Sequence, residues 1–260
     1  MPEGDTVFRA ALRLRGVLVG RTIERAAGSA PSVRRRADRI VGRAVTSVRS
    51  YGKHLFIDFD SGVTIRTHLG MPGSWHVYRS GQRWRRPVGA ARVVLGTGDT
   101  ESVCFAAPDV QVERRRVVDL TVAGLGPDLA QPDFDLEEFL ARAARFGPGR
   151  QIADLMIDQR VLAGPGNVFK SEVLFLEDRL PETPFEDLDD TALSGLARRA
   201  HRLLRANLDH GTRSTTGDRR RGRNLWVYGR AGRPCRRCGT GVQAEHIEDR
   251  ITYWCPRCQT

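Results

Sequence analysis

Near the C-terminus, Cys235-x2-Cys238 is followed after sixteen residues by Cys255-x2-Cys258. Each pair sets two thiolates on one tight turn, and two such turns complete a tetrahedron around a metal ion. The intervening GTGVQAEHIEDRITYW fits a β-hairpin, so the segment reads as a zinc ribbon in which the metal replaces a core that ~25 residues cannot build. Four thiolates leave no position open for water, which makes the expected zinc structural. Grouping four of the five cysteines this way argues against disulfides. Cys104, alone in SVCFAA, reads as a small buried apolar residue.

The remainder of the 260-residue chain is long enough for two domains. Its start, MPEGDTVFRA, carries Glu3 and Asp5 and lacks the basic-then-apolar order of a secretory signal. No apolar stretch approaches the ~18 residues of a membrane span, so a cytoplasmic protein is expected. The formal charge of +11, with basic runs at Arg34-Arg35-Arg36, Arg114-Arg115-Arg116 and Arg219-Arg220-Arg221, points to a polyanionic partner, nucleic acid first. Of the 42 basic residues only Lys53 and Lys170 are lysine. A lysine surviving such a bias suggests chemistry that needs a compact ammonium, although Lys170 offers no visible reason of that kind.

Asp5 or Thr6 is expected to cap a first helix with Val7, Phe8, Ala11, Leu12 and Leu14 on its apolar face and an exit at Gly16 or Gly20. Residues 39–122 read as a β-sandwich, with strands at 39–50, 53–59, 63–69, 91–97, 102–107 and 115–122 separated by turn signals such as Asp60-Ser61-Gly62. Periodicity is lost between 123 and 134, and the helical period follows. Asp135 and Glu138 form a capping-box pattern, and further helices fit 150–162, 167–178 and 190–209. The segment 212–224, TRSTTGDRRRGRN, reads as a mobile loop or a nucleic-acid contact. The fold class is therefore α+β multidomain: residues 1–122 a β-sandwich domain, 123–134 a linker, 135–224 a helical domain and 225–260 a ribbon.

Three separated segments, MPEG at the start, GPGNVFKSEVLF at 164–175 and CRRCG…DRITYWCPRCQ at the end, resemble the formamidopyrimidine-DNA glycosylase and endonuclease VIII family, its endonuclease VIII-like branch in particular. YGKHLF at 51–56, THLGMPGSW at 67–75 and VYGRAGRPC at 227–235 extend the likeness over the chain. The resemblance implies an N-terminal β-sandwich with a flanking helix, a helix-two-turns-helix domain and a zinc ribbon, in a monomer that acts on damaged DNA at the nucleoid. It implies a glycosylase and strand-cleaving lyase whose nucleophile is Pro2, freed by removal of Met1. An α-amino group has a pKa near ~8 against ~10.4 for lysine, so at neutral pH far more of it is free amine.

By the same resemblance Glu3 is the general acid and proton shuttle, Lys53 binds the lesion phosphate or assists proton transfer, and Arg250 grips phosphate. Asn167 holds phosphate after the Gly164-Pro165-Gly166 turn, and Met71 is a wedge that fills the space left by an everted nucleotide. The alternative for Met71 is a core methionine, and for Asn167 an N-cap. FAAPDVQVERR lacks the Arg-Phe pair of the formamidopyrimidine branch, and Asp5-Thr6 stands where both branches carry Pro-Glu. With the shortness of 212–224, these departures favour oxidised pyrimidines over 8-oxoguanine. The competing expectations are a non-catalytic protein that binds damaged or abasic DNA, and a purine-lesion glycosylase.

Overall fold

The computed structural model describes residues 2–247 and 250–260. The chain divides into two compact units, Met1–Gly124 and Leu125–Thr260. Among the described residues no helix is long and apolar enough to cross a membrane.

The first unit opens with helix α1 (Gly4–Leu18), then β1 (Arg25–Ala27) and the short α2 (Pro31–Arg35). Strands β2 (Val45–Tyr51), β3 (His54–Phe59), β4 (Val63–His68), β5 (Ser74–Arg79), β6 (Ala91–Gly96), β7 (Thr100–Phe105) and β8 (Asp109–Arg114) follow, and α3 (Arg115–Ala123) ends the unit. Two antiparallel four-stranded sheets, in the orders β2-β3-β4-β8 and β1-β6-β7-β5, form the expected sandwich. Val48, Leu55, Ile57, Ile65, Trp75, Val93, Leu95, Cys104, Val110 and Val112 share one buried cluster with Val7, Ala11, Leu14 and Leu18 of α1. Cys104 is fully buried, and burial pushes its thiol up to about 12, which makes it the inert apolar residue expected.

Three local expectations are corrected. Residues 115–122, read as a strand, form α3. The ladder between β4 and β8 ends at Val63 opposite Arg114, so the chain beyond has no strand partner and satisfies its own backbone as a helix. In α1 the N-cap is Glu3, whose side chain makes no capping bond, while Asp5 lies inside the first turn and pairs with Arg9 at 3.3 Å. The helix then runs through Gly16 to Leu18, with Gly20 in the left-handed region just beyond it.

The second unit contains α4 (Leu136–Phe146), α5 (Ile152–Leu155), α6 (Asn167–Leu176), α7 (Asp190–Arg205) and the hairpin β9 (Gln243–Ile247) and β10 (Arg250–Trp254). Asp135 accepts from the Glu138 amide at 2.8 Å, but the Glu138 carboxylate turns to Arg142 rather than back to the cap, so the box is half formed. The third correction is the helix expected over 150–162, which stops after one turn. Asp158 gathers the guanidinium of Arg150 and both the amide and the guanidinium of Arg160, and this fixes a turn where the helix would have continued.

The β4–β5 loop is closed by a tight backbone approach, because a Cβ on Gly73 would lie 2.2 Å from the Leu69 carbonyl oxygen. Gly73→Ala is expected to lower stability by about 2 kcal/mol or more through backbone displacement, whereas Gly89→Ala, which meets nothing within 4 Å, stays within about 0.5 kcal/mol. Thermal melts of the two variants check this.

Candidate functional site

In the first unit the elements carry several candidate residues to one end of the sandwich. Helix α1 runs antiparallel to β2. Val19 bridges Val45 at the helix exit, and Arg15 donates to the Val48 carbonyl at 3.1 Å. Going back from Arg15 to Glu3 covers about 18 Å of helix, while Val48 to Tyr51 covers about 10 Å of strand. The first turn of α1 therefore reaches the end of the sheet where Tyr51 turns back into His54. Gly52 and Lys53 make that two-residue turn, with Gly52 at a φ of 55°. His54 pairs with His68 at the close of β4, which places the β4–β5 loop and Met71 at the same end.

Met71 is 73% exposed, which removes the core-methionine alternative. The neighbouring β7–β8 connection, Ala106-Ala107-Pro108, enters β8 opposite His68. Pro108 sits so close to Gly70 that a Cβ there would lie 2.7 Å away. That short turn projects no large side chain, in keeping with the missing Arg-Phe pair. Glu3 is fully buried beside the half-buried Pro2. Its carbonyl oxygen accepts from the amides of Thr6 and Val7, so the backbone just after Pro2 is fixed by the helix. Met1 lies outside the described residues.

Arg66 pairs with Asp109 at 2.7 Å and with Glu113 at 3.5 Å, and the rings of His54 and His68 lie 5.1 Å apart. Burial, then His68 and Arg66, lower His54 to about 4, and burial with Lys53 lowers His68. Both imidazoles are thus neutral near pH 7. His54 binds its proton more weakly folded than unfolded, so its contribution to stability is intact above pH 6.5 and disappears as the pH falls toward about 4. A loss on the order of 2 kcal/mol is expected across that window. Denaturant melts at pH 7 and pH 4.5 should show it, with a smaller difference in His54→Asn.

In the second unit the N-terminus of α6 and the hairpin meet. Asn167, 5% exposed, occupies the first helical position and not the N-cap, which is Gly166. Its Nδ2 donates to the Ile251 carbonyl at 2.6 Å, and its buried Oδ1 has no partner among the described residues. Arg250, exposed at the start of β10, is adjacent to this contact and forms no ion pair among the described residues. Lys170, 1% exposed, donates to the Thr252 hydroxyl at 2.7 Å, which supplies the reason its sequence context withheld.

The side chains of Cys235, Cys238, Cys255 and Cys258 gather with their ligand atoms within 4.8 Å of one another and can hold a metal ion. Cys238 and Cys255 sulfurs are 3.5 Å apart and those of Cys235 and Cys258 are 3.9 Å apart, far beyond a disulfide. Gln259 closes the ribbon by accepting from the Cys255 amide while donating to the Arg179 carbonyl.

Glu172 was not singled out from the sequence. Fully buried on α6, it accepts from the amides of Trp226, Val227 and Tyr228 at 2.7–2.8 Å and from the Thr215 hydroxyl. The available signal was an acid inside the apolar run NVFKSEVLFL. The 212–224 segment is likewise cross-tied: Asn207 accepts from the Ser214 amide, and Arg219 donates to the Thr212 and Ala206 carbonyls.

Comparison with known proteins agrees with this fold. Residues 1–109 match the formamidopyrimidine-DNA glycosylase N-terminal domain, and residues 125–218 match the formamidopyrimidine-DNA glycosylase H2TH domain. A "Probable endonuclease 8 2" of Streptomyces coelicolor is 44% identical over 264 residues, covering 100% of this chain and 94% of that relative. The chain belongs to the formamidopyrimidine-DNA glycosylase and endonuclease VIII family. A Mycolicibacterium smegmatis member named "DNA-(apurinic or apyrimidinic site) lyase Nei2" is 42% identical over 260 residues, covering 100% of this chain and 99% of its own. An Escherichia coli endonuclease 8 is 30% identical over the full length of both chains. The Lactococcus lactis family enzyme, solved with DNA containing an abasic site, shares the fold with a TM-score of 0.86 at 21% identity over 100% of both chains.

Proposed function

We propose that this family member is a bifunctional DNA glycosylase and abasic-site lyase that removes oxidised pyrimidines and cleaves the strand by β- and then δ-elimination. The observation that carries this reading is the convergence of the Pro2-Glu3 end of α1, the Lys53 turn and the exposed Met71 loop at one end of the sandwich. The names of the relatives, endonuclease 8 and abasic-site lyase, support the same activity.

In this mechanism the secondary amine of Pro2, released when Met1 is removed, attacks C1′ of an everted nucleotide in its unprotonated form. The glycosidic bond breaks, its electron pair leaves with the base, and the proton shed by the Pro2 nitrogen neutralises that base. Glu3 supplies a proton to the sugar ring oxygen as the ring opens, which leaves an iminium between Pro2 and C1′. The iminium acidifies the C2′ hydrogen. Loss of that proton expels the 3′-phosphate, and a second elimination expels the 5′-phosphate. Lys53 and Arg250 neutralise phosphates flanking the lesion, Asn167 orients the strand, and Met71 enters the vacated stack.

The pyrimidine preference draws support from residues 5 and 6. Asp5 is buried against Arg9, and the Thr6 hydroxyl bonds to Asp5, so both serve the helix start and leave no glutamate to read a purine lesion. The cross-tied 212–224 segment supports it too, being held to the body of its unit instead of extending as a lesion cap.

Borohydride is expected to trap a covalent adduct with thymine-glycol or abasic DNA. An uncleaved N-terminal extension should abolish that adduct, and Lys53→Leu should slow turnover on the order of a hundredfold. The adduct is followed by gel shift. Persistent trapping by the extended protein refutes Pro2 as nucleophile, and tight binding without turnover establishes a damage-binding protein instead. A panel with 8-oxoguanine and formamidopyrimidine tests the lesion class.

For the ribbon, a tetrahedral zinc with Zn–S bonds of about 2.3 Å has sulfur–sulfur edges of about 3.8 Å. The two sulfur separations of 3.5 and 3.9 Å fit that cage. Zinc there would supply folding energy and no catalytic chemistry, since all four ligands are protein thiolates. Metal analysis is expected to give one zinc per chain, and Cys238→Ser should lose both the metal and the ordered ribbon.

A further inference from the structure

At the opposite end of β4 from Lys53 and Met71 lies a surface the proposed reaction does not use. A cavity of about 510 Å³ around the Ser61-Gly62 turn is lined by six arginines, at 35, 36, 39, 114, 115 and 116, against one acid, Asp38. Pairing of Val63 with Arg114 and of His68 with Asp109 puts this cavity and the Lys53 end about 17–20 Å apart along the strand.

The nearby carboxylates are already committed. Asp58 is buried among Ser47, Thr64, Arg49 and Arg115; Glu113 pairs with Arg66; Asp38 pairs with Arg39; Asp119 pairs with Arg49; and Asp60 accepts from the Ala44 amide. Arg36 donates to the Val112 carbonyl. Arg35, Arg114 and Arg116 are exposed and have no side-chain partner among the described residues. Arg114, Arg115 and Arg116 also stand at the positive end of α3, which has no acid in its first turn and no side-chain cap. Cations there repel the helix dipole, so the free protein carries an uncompensated positive field that an anion relieves.

We propose that this surface binds the phosphodiester backbone of a nucleic acid segment separate from the one that carries the lesion. Unpaired guanidiniums converge from two chain segments on one cavity, and phosphate contacts need only that. An acidic protein partner would need an apolar anchor as well. Val63, the hydrophobic residue in the lining, is 7% exposed and offers none.

The full-length wild-type protein is treated with phenylglyoxal, and modified arginines are read by mass spectrometry. A long undamaged duplex is expected to protect Arg35, Arg114 and Arg116, while a short duplex carrying an abasic analogue leaves them reactive. In parallel, Arg35→Ala/Arg114→Ala/Arg116→Ala should reduce the salt slope for the long duplex by about 2–3 and its affinity on the order of tenfold, with the triple lysine variant retaining most of both. The proposal is overturned by absence of protection with saturating long duplex, by equal protection with the short one, or by an unchanged salt slope. Protection by polyglutamate where DNA of equal charge fails would instead assign the surface to an acidic protein. Should the alanine variant not fold, the wild-type protection pattern decides.

Discussion

A single buried carboxylate organises the second unit. Glu172 has no contact with water, so every lone pair must be satisfied by the protein, and three successive amides plus the Thr215 hydroxyl do so. Burial pushes the carboxyl up, while those four donors pull it back, so the pairing depends on geometry and not on solvent. Because the donors come from 215 and 226–228, one side chain on α6 fixes both the end of the basic loop and the entry to the ribbon. Removing such a partner leaves buried donors unpaired, at about 1–3 kcal/mol for an unsatisfied group. The hairpin is tied to the same helix by its own bonds, Asn167 on the Ile251 carbonyl and Lys170 on the Thr252 hydroxyl.

The first unit uses packing where the second uses a polar hub. Leu14 and Leu18 of α1 are fully buried in the sandwich core, and their placement determines where the chain start lies. Pro2 precedes a rigid helix whose N-cap is Glu3, so its position is set by the packing of that helix. Neutral His54 and His68 complete the same end without adding charge, which leaves Lys53 as a cation of the turn itself.

Much of this was legible in the sequence because it rests on local or short-range signals. The Cys-x2-Cys pairs and the Asp135 cap each need only a few adjacent residues. The misread parts depend on distant partners. Residues 115–122 have strand-like composition, and only the completed ladder of β4 and β8 shows that no partner remains for them. The interruption after Leu155 depends on Asp158 capturing two arginines. Glu172 stands out only as an acid in an apolar run, and its role is hidden because its donors lie more than forty residues away.

Charge is where sequence and structure differ most in meaning. A net +11 points to a polyanion, yet many arginines act as forks for backbone carbonyls: Arg15 on Val48, Arg92 on Ala107, Arg142 on Arg160, Arg205 on Ala130 and Arg236 on Leu225. Their charge remains, but their geometry is committed to tying segments together. Lys170 makes the complementary point, since its buried ammonium, a compact three-donor group, reaches the Thr252 hydroxyl from inside the unit. The arginines free to meet phosphate are therefore those without carbonyl or carboxylate partners. Arg250 on the hairpin and Arg35, Arg114 and Arg116 below the sandwich belong to that smaller set, and it is their positions, not the total charge, that locate where nucleic acid can be held.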